Sequence, residues 1–158
     1  MIRFAGLAVL LLSAISYSFV LVKNENRKLS QIKEICALIL YIRNHIESFM
    51  TPLGTILRSY NGYGDAFCDF AETAKEHDLL YAAEHCRLSV DEETVRLLLE
   101  FSRKIGGGYK EDQLRLCDYY HKRMQEIYSN AKEENQKKLK MYRTLPIMSA
   151  LSIALMLF

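Results

Sequence analysis

Residues 89–108 read SVDEETVRLLLEFSRKIGGG. This is the clearest helix signature in the chain, and it decides the fold class. Ser89 and Glu92 have the spacing of a capping box, in which each side chain satisfies the other's free backbone N–H. Acidic residues fill the first turn, and Arg103 and Lys104 fill the last, as the helix dipole favours. Leu98 is expected on the inward face. Gly106–Gly108 then stop the helix.

Outward from this segment every stretch reads as helix. A final helix is expected from near Tyr109 to about Thr144, with Leu114, Cys117, Tyr120, Met124, Ile127, Ala131 and Leu139 on its apolar stripe. The stripe thins after Ala131, where charge takes over and a stalk is expected. Pro146 lacks an N–H and disfavours helix at Leu145, so a bend is expected near 144–146. On the other side, a short helix is expected around Leu79–Cys86. Another covers 65–77, with Phe67, Phe70, Ala71 and Ala74 on one side. "NGYG" at 61–64 is a turn. Before it, Thr51 can cap and Pro52 suits the first helical position of a helix carrying Leu53, Ile56, Leu57 and Tyr60. Residues 29–49 place Leu29, Ile32, Ile35, Cys36, Ile39, Ile42, Ile46 and Phe49 at three- and four-residue intervals, a wide apolar face. No stretch alternates as a strand would. The fold class is therefore all-α, with a helical core over about 29–131.

Two apolar runs flank that core. Residues 4–22, FAGLAVLLLSAISYSFVLV, and residues 144–158 carry no charge. As a helix the first is about 28 Å long, close to the ~30 Å of a hydrocarbon layer. The second reaches about 27 Å once Met141, Tyr142 and a snorkelling Arg143 are included. Lys23, Arg27 and Lys28 follow the first run, five cations between Lys132 and Arg143 precede the second, and only Arg3 lies beyond. The positive-inside bias then puts the middle of the chain in the cytoplasm. The expected organisation is a transmembrane helix at 4–22, a cytoplasmic helical bundle with basic flanks at 23–143, and a C-terminal transmembrane helix at 144–158. On this reading the chain ends in an apolar run because the last span needs only to plant its carboxylate at the outer surface.

The chain is +2 overall; the flank 23–28 contributes +2, the flank 132–143 +3 and Arg3 +1, which leaves about −4 for 29–131. An acidic centre argues against nucleic-acid binding, and the basic flanks suit an anionic leaflet. Cys36, Cys68, Cys86 and Cys117 are far apart and form no CxxC pair. In a cytoplasmic domain they stay reduced and pack as small apolar residues. A different reading takes the first apolar run as a cleaved leader, with Arg3 before it and "SAIS" at 13–16 as the cleavage region. The product would be a secreted four-cysteine helical protein. The apolar stretch is longer than a usual leader core and ends on a basic stop, which favours the retained helix.

Sites for chemistry are few. Gly106–Gly108 lack the following GK[ST] and the preceding strand of a phosphate loop, so they read as a helix stop. Cys117 and His121 share a helix face and His85 adjoins Cys86, but no second ligand pair completes a metal site. No nucleophile elbow, triad or dinucleotide fingerprint is present. Ala150 and Ala154 form a small-xxx-small pair suited to helix pairing. Tyr119, Tyr120 and Tyr128 are candidates for a docking face. No catalytic, cofactor or metal residue is assigned.

The stretch KIGGGYKEDQLRLCDYYHKRM at 104–124 resembles the LG-x-x-D-x-x-D-Q segment of the stage III sporulation protein AB family of endospore-forming bacteria. Ile105-Gly106 stands for the Leu-Gly and Asp112-Gln113 for the later Asp-Gln. "TPL" at 51–53, the basic exit of the first apolar run and "MYR" before the last agree in order. The chain departs from the pattern at Tyr109, where the family usually has an acidic residue. The resemblance implies a non-catalytic integral-membrane component of a mother-cell complex, similar to a secretion system, at the membrane facing the forespore. It implies a helical domain similar to those of type II secretion platform F proteins. The implied partners are a stage III sporulation protein AA-like ATPase, other membrane proteins of the complex and the lipid bilayer; further copies of the chain are also candidates. The implied partner-binding residues are Gly106, Asp112 and Gln113.

Overall fold

The computed structural model describes the backbone of residues 2–49 and 51–157, with side chains described at 12, 13, 15–49, 51–142, 144, 148, 149 and 152. Its elements are α1 (Ile2–Phe49), α2 (Leu53–Ser59), a 3-10 turn (Asp65–Phe67), α3 (Cys68–Glu76), α4 (Leu79–His85), α5 (Glu92–Lys104) and α6 (Lys110–Leu157). No strand occurs among the described residues, so the fold is all-α. Two compact units result, one of residues 27–130 and the other of residues 1–26 with 131–158. The boundary at Ala131 is where the apolar stripe of α6 thins.

In the unit 27–130 the apolar faces bury one another. Ile32, Ile35, Leu38, Ile39 and Ile42 of α1 are buried, as are Phe67, Phe70, Ala71 and Ala74 around α3. Leu97, Leu98 and Phe101 of α5 and Cys117, Tyr120 and Met124 of α6 complete the core. Phe67 and Phe70 stack with ring centroids 4.7 Å apart, and Phe101 meets Tyr120 at 5.6 Å. Each helix end has a local cause. Asp78 caps α4, its carboxylate accepting the Tyr81 N–H at 2.6 Å. α2 begins one residue after Pro52, whose carbonyl takes the N–H groups of Thr55 and Ile56 at 2.9 and 3.1 Å.

Three local expectations are corrected here. The Ser89–Glu92 capping box does not form. α5 starts at Glu92 after Asp91, and the Asp91 carboxylate binds Lys28 Nζ at 2.6 Å instead of capping. The Ser89 N–H donates to Gln31 Oε1 at 2.7 Å. Phe49 ends the apolar stripe of α1 yet is 74 % exposed, with His45 of its own helix as its ring neighbour at 6.2 Å.

The third correction lies in the other unit. α6 does not end near 144–146 but continues as helix through Pro146 to Leu157. Contacts that pair the helices of this unit include Ser18 with the Tyr142 carbonyl, Glu25 with Lys138 at 3.6 Å, and Asn26 with Asn135 at 3.3 Å. Residue numbers rise on one helix as they fall on the other, so the pair is antiparallel. Leu12, Ile15, Tyr17, Phe19, Val20 and Met148 are exposed. Among the described residues no helix is long and apolar enough to cross a membrane. Of the run 4–22 the side chains at 12, 13 and 15–22 are described, and of the run 144–158 those at 144, 148, 149 and 152.

Candidate functional site

The family-like segment lies in the unit 27–130, where α5 hands over to α6. Ile105 closes α5 in an extended conformation, and Gly106 and Gly108 follow at φ +96° and +94°. Side chains rarely adopt that region, and a Cβ on Gly106 would also come within 3.4 Å of Leu53 Cδ2. Gln113, in the first turn of α6, reaches back over this turn. Its Oε1 accepts the Gly106 N–H at 2.8 Å and its Nε2 donates to the Gly107 carbonyl. One buried amide thus satisfies a donor and an acceptor that the turn leaves unpaired.

Asp112 behaves differently from its neighbour. It is exposed, and its carboxylate pairs with Arg115 at 3.0 Å on the surface of the same helix. Adjacent helical residues point about 100° apart. The three proposed partner-binding residues are therefore divided: Gly106 and Gln113 build the turn, and Asp112 faces solvent.

Beside the turn is a cleft of about 260 Å³, lined by Ile46, Thr51, Pro52, Leu53, Gly106, Gly108, Lys110 and Gln113. Lys110 Nζ donates to the Glu47 carbonyl at 2.5 Å. The last turn of α1 has no basic residue of its own, so α6 supplies the cation that the negative end of α1 favours. Arg43 fixes the same end, donating to Glu47 at 2.7 Å and Asp118 at 2.6 Å. Phe49 and Tyr109, neighbours in sequence of the lining residues, are the two most exposed aromatics described. Among the described residues lining the cleft there is no carboxylate, thiol or imidazole. Such walls suit binding more than proton transfer.

The other residues singled out by sequence are placed elsewhere. Cys117 is buried, and burial pushes its thiol up to about 11; the same cause raises Cys36 to about 11. His121 is partly exposed, and the exposed His85 is hydrogen-bonded through Nδ1 to the Tyr81 carbonyl at 3.0 Å. No group of three or more His, Cys, Asp or Glu suited to a metal occurs among the described residues. Tyr119 is exposed and Tyr128 half-buried, whereas Tyr120 is in the core with its hydroxyl between Lys104 and Glu100.

Sequence reasoning missed Gln31. It is 1 % exposed, donates from Nε2 to the Ala66 carbonyl at 2.8 Å and accepts the Ser89 N–H at Oε1. One signal was available: Gln31 stands four and seven residues before the buried Ile35 and Leu38, so it lies on the apolar face.

A family model for stage III sporulation protein AB matches residues 3–158. The chain belongs to the stage III sporulation protein AB family. No curated protein and no solved structure matches it. In this member of the stage III sporulation protein AB family the Leu-Gly-like Ile105-Gly106 and the later Gln113 are joined by direct hydrogen bonds. Their spacing in the sequence is the spacing of a turn and the amide that closes it.

Proposed function

We propose that the chain is a non-catalytic integral-membrane component of a secretion-system-like complex at the mother-cell/forespore boundary, and that its helical core docks a cytoplasmic secretion-type ATPase. Family membership implies a role in sporulation. The observation that carries the docking part is the cleft beside the Gly106–Gln113 turn. Ile46, Pro52 and Leu53 give it apolar wall, Thr51, Gln113 and the Lys110 cation give it polar wall, and Tyr109, Phe49 and Asp112 stand exposed close by in sequence. Exposed aromatics beside a cleft are the kind of anchor that partners use.

The apolar runs 4–22 and 144–158 are proposed as the two spans, with the middle of the chain in the cytoplasm. Their lack of charge and the cations on their inner flanks support this. So do the exposed Leu12, Ile15, Phe19 and Val20, which leave a wide apolar surface uncovered.

Two measurements test the reading. Cys68 and Cys86 are partly exposed, so an impermeant thiol reagent applied to intact cells should leave both unmodified and label them after lysis. Labelling before lysis refutes the topology. For docking, Tyr109→Ala with Asp112→Arg alters exposed side chains and spares the turn. The variant should melt like the native chain, lose the ATPase-like partner on co-purification from sporulating cells and fail to complement. A folded variant that retains the partner removes this surface from the interface.

A further inference from the structure

Each carbonyl of an α-helix normally accepts the N–H four residues further on. Pro146 has no N–H, and α6 runs through it as helix, so the Tyr142 carbonyl has no donor from its own helix. Across the helix pair of this unit, the hydroxyl of Ser18 donates to that carbonyl.

The choice of partner is unusual for this chain. Four other helical hydroxyls turn back to the carbonyl four residues before them. Thr73 bonds Asp69 and Ser102 bonds Leu98, each at 2.7 Å. Thr144 bonds Lys140 and Ser152 bonds Met148, each at 2.9 Å. Ser18 has the same local option and reaches the other helix instead. The carbonyl that the proline orphans meets the Ser18 hydroxyl, which crosses from the other helix.

We propose that Ser18 is a register-setting residue, its hydroxyl replacing the N–H that Pro146 lacks. A carbonyl inside a helix normally has its donor in the same helix, so it accepts any sliding of the pair. The Tyr142 carbonyl accepts one alignment only. Moving either helix by a residue turns Ser18 away and leaves a partly buried acceptor empty, which costs more than an ordinary hydrogen bond contributes. The neighbouring contacts agree with this alignment: Asn135, itself buried, donates to Asn26, and Lys138 pairs with Glu25. Proline here does not break the helix. It prepares an acceptor that tells the two helices where to stop. The inference does not depend on the docking reading.

A mutant cycle in the full chain, held in detergent micelles, tests it by amide hydrogen exchange. Ser18→Ala should speed exchange in the segments 12–26 and 136–149 by about tenfold, the order expected from an orphaned carbonyl. Exchange in α5 should not change, which serves as the control for folding. Pro146→Ala gives Tyr142 a donor within α6. In that background Ser18→Ala should change exchange less than about twofold. If Ser18→Ala alone prevents folding, Pro146→Ala must rescue it. Equal effects of Ser18→Ala in both backgrounds, no effect in the native one, or failure of that rescue would each overturn the proposal.

Discussion

The described residues of the two units differ in what they bury. In the unit 27–130 isoleucine, leucine and phenylalanine are inside, and charge lies outside in pairs such as Lys28–Asp91 and Arg43–Asp118. In the helix pair Leu12, Tyr17 and Phe19 are exposed, Leu21, Leu139 and Tyr142 are half-buried, and polar contacts join the two helices: Ser18 with the Tyr142 carbonyl, and Asn26 with the buried Asn135. The first unit is held by removal of apolar surface from water. In the second, polar contacts are described between the helices. Hydrogen bonds are individually stronger where water does not compete. Exposed Leu12, Ile15, Phe19 and Val20 beside polar helix–helix contacts are what the bilayer proposal for the helix pair expects.

The largest break in this comparison should come from Leu98→Asp. Leu98 is 1 % exposed, so the substitution buries a carboxylate with no partner and should cost more than about 4 kcal/mol. Circular dichroism of the full chain in detergent should show part of the helical signal lost and the cooperative melt abolished, with the remaining signal from the helix pair.

Gln31→Ala should come next. It removes two hydrogen bonds and leaves the Ala66 carbonyl and the Ser89 N–H unpaired, for a loss of about 2–4 kcal/mol read as a lower melting midpoint. A smaller effect would mean that water enters readily and that the unit is less dry than its core suggests.

Alkaline pH sharpens the contrast further. Burial raises the Cys36 and Cys117 thiols from about 9 to about 11. The folded state holds these protons more tightly than the unfolded chain does. Their contribution is therefore constant below about pH 9 and is lost as pH rises toward 11, by on the order of 2 kcal/mol per thiol. Melting midpoints should be flat from pH 7 to 8.5 and then fall. Replacing both by alanine should flatten that fall while lowering the midpoint at pH 7.

Asp112→Asn should do least, within about 0.5 kcal/mol, because its ion pair with Arg115 is exposed. Gln113→Ala, one residue on, should cost about 2 kcal/mol through the turn it closes. Equal melting midpoints for the two variants would show that the Gln113 hydrogen bonds add nothing.

Where periodicity alone mattered, the sequence was legible. The stripe of α1 from Ile32 to Ile42, the phenylalanines around α3 and the inward face of Leu98 follow from helical spacing. Tertiary partners were not legible. The spacing of Ser89 and Glu92 suggests a capping box, but Gln31 claims the Ser89 N–H from 58 residues away. Pro146 suggests a break by a local rule, and the helix continues through it because Ser18 supplies a donor from another helix. At the candidate site the family-like pattern singled out Gly106, Asp112 and Gln113, and the structure joins Gly106 and Gln113 in one turn. The pattern could not say that they serve the turn, since that depends on which way the Gln113 side chain folds back.

Gln31 also has a consequence for how the core breathes. Its single amide ties α1 to the 3-10 turn at Ala66 and to the loop at Ser89. Opening either loop alone would strand half of a buried amide. The cheaper fluctuation frees both halves together, so two surface loops distant in sequence become one cooperative opening unit. A partner that clamps one loop would thereby quiet the other, with no contact between the two.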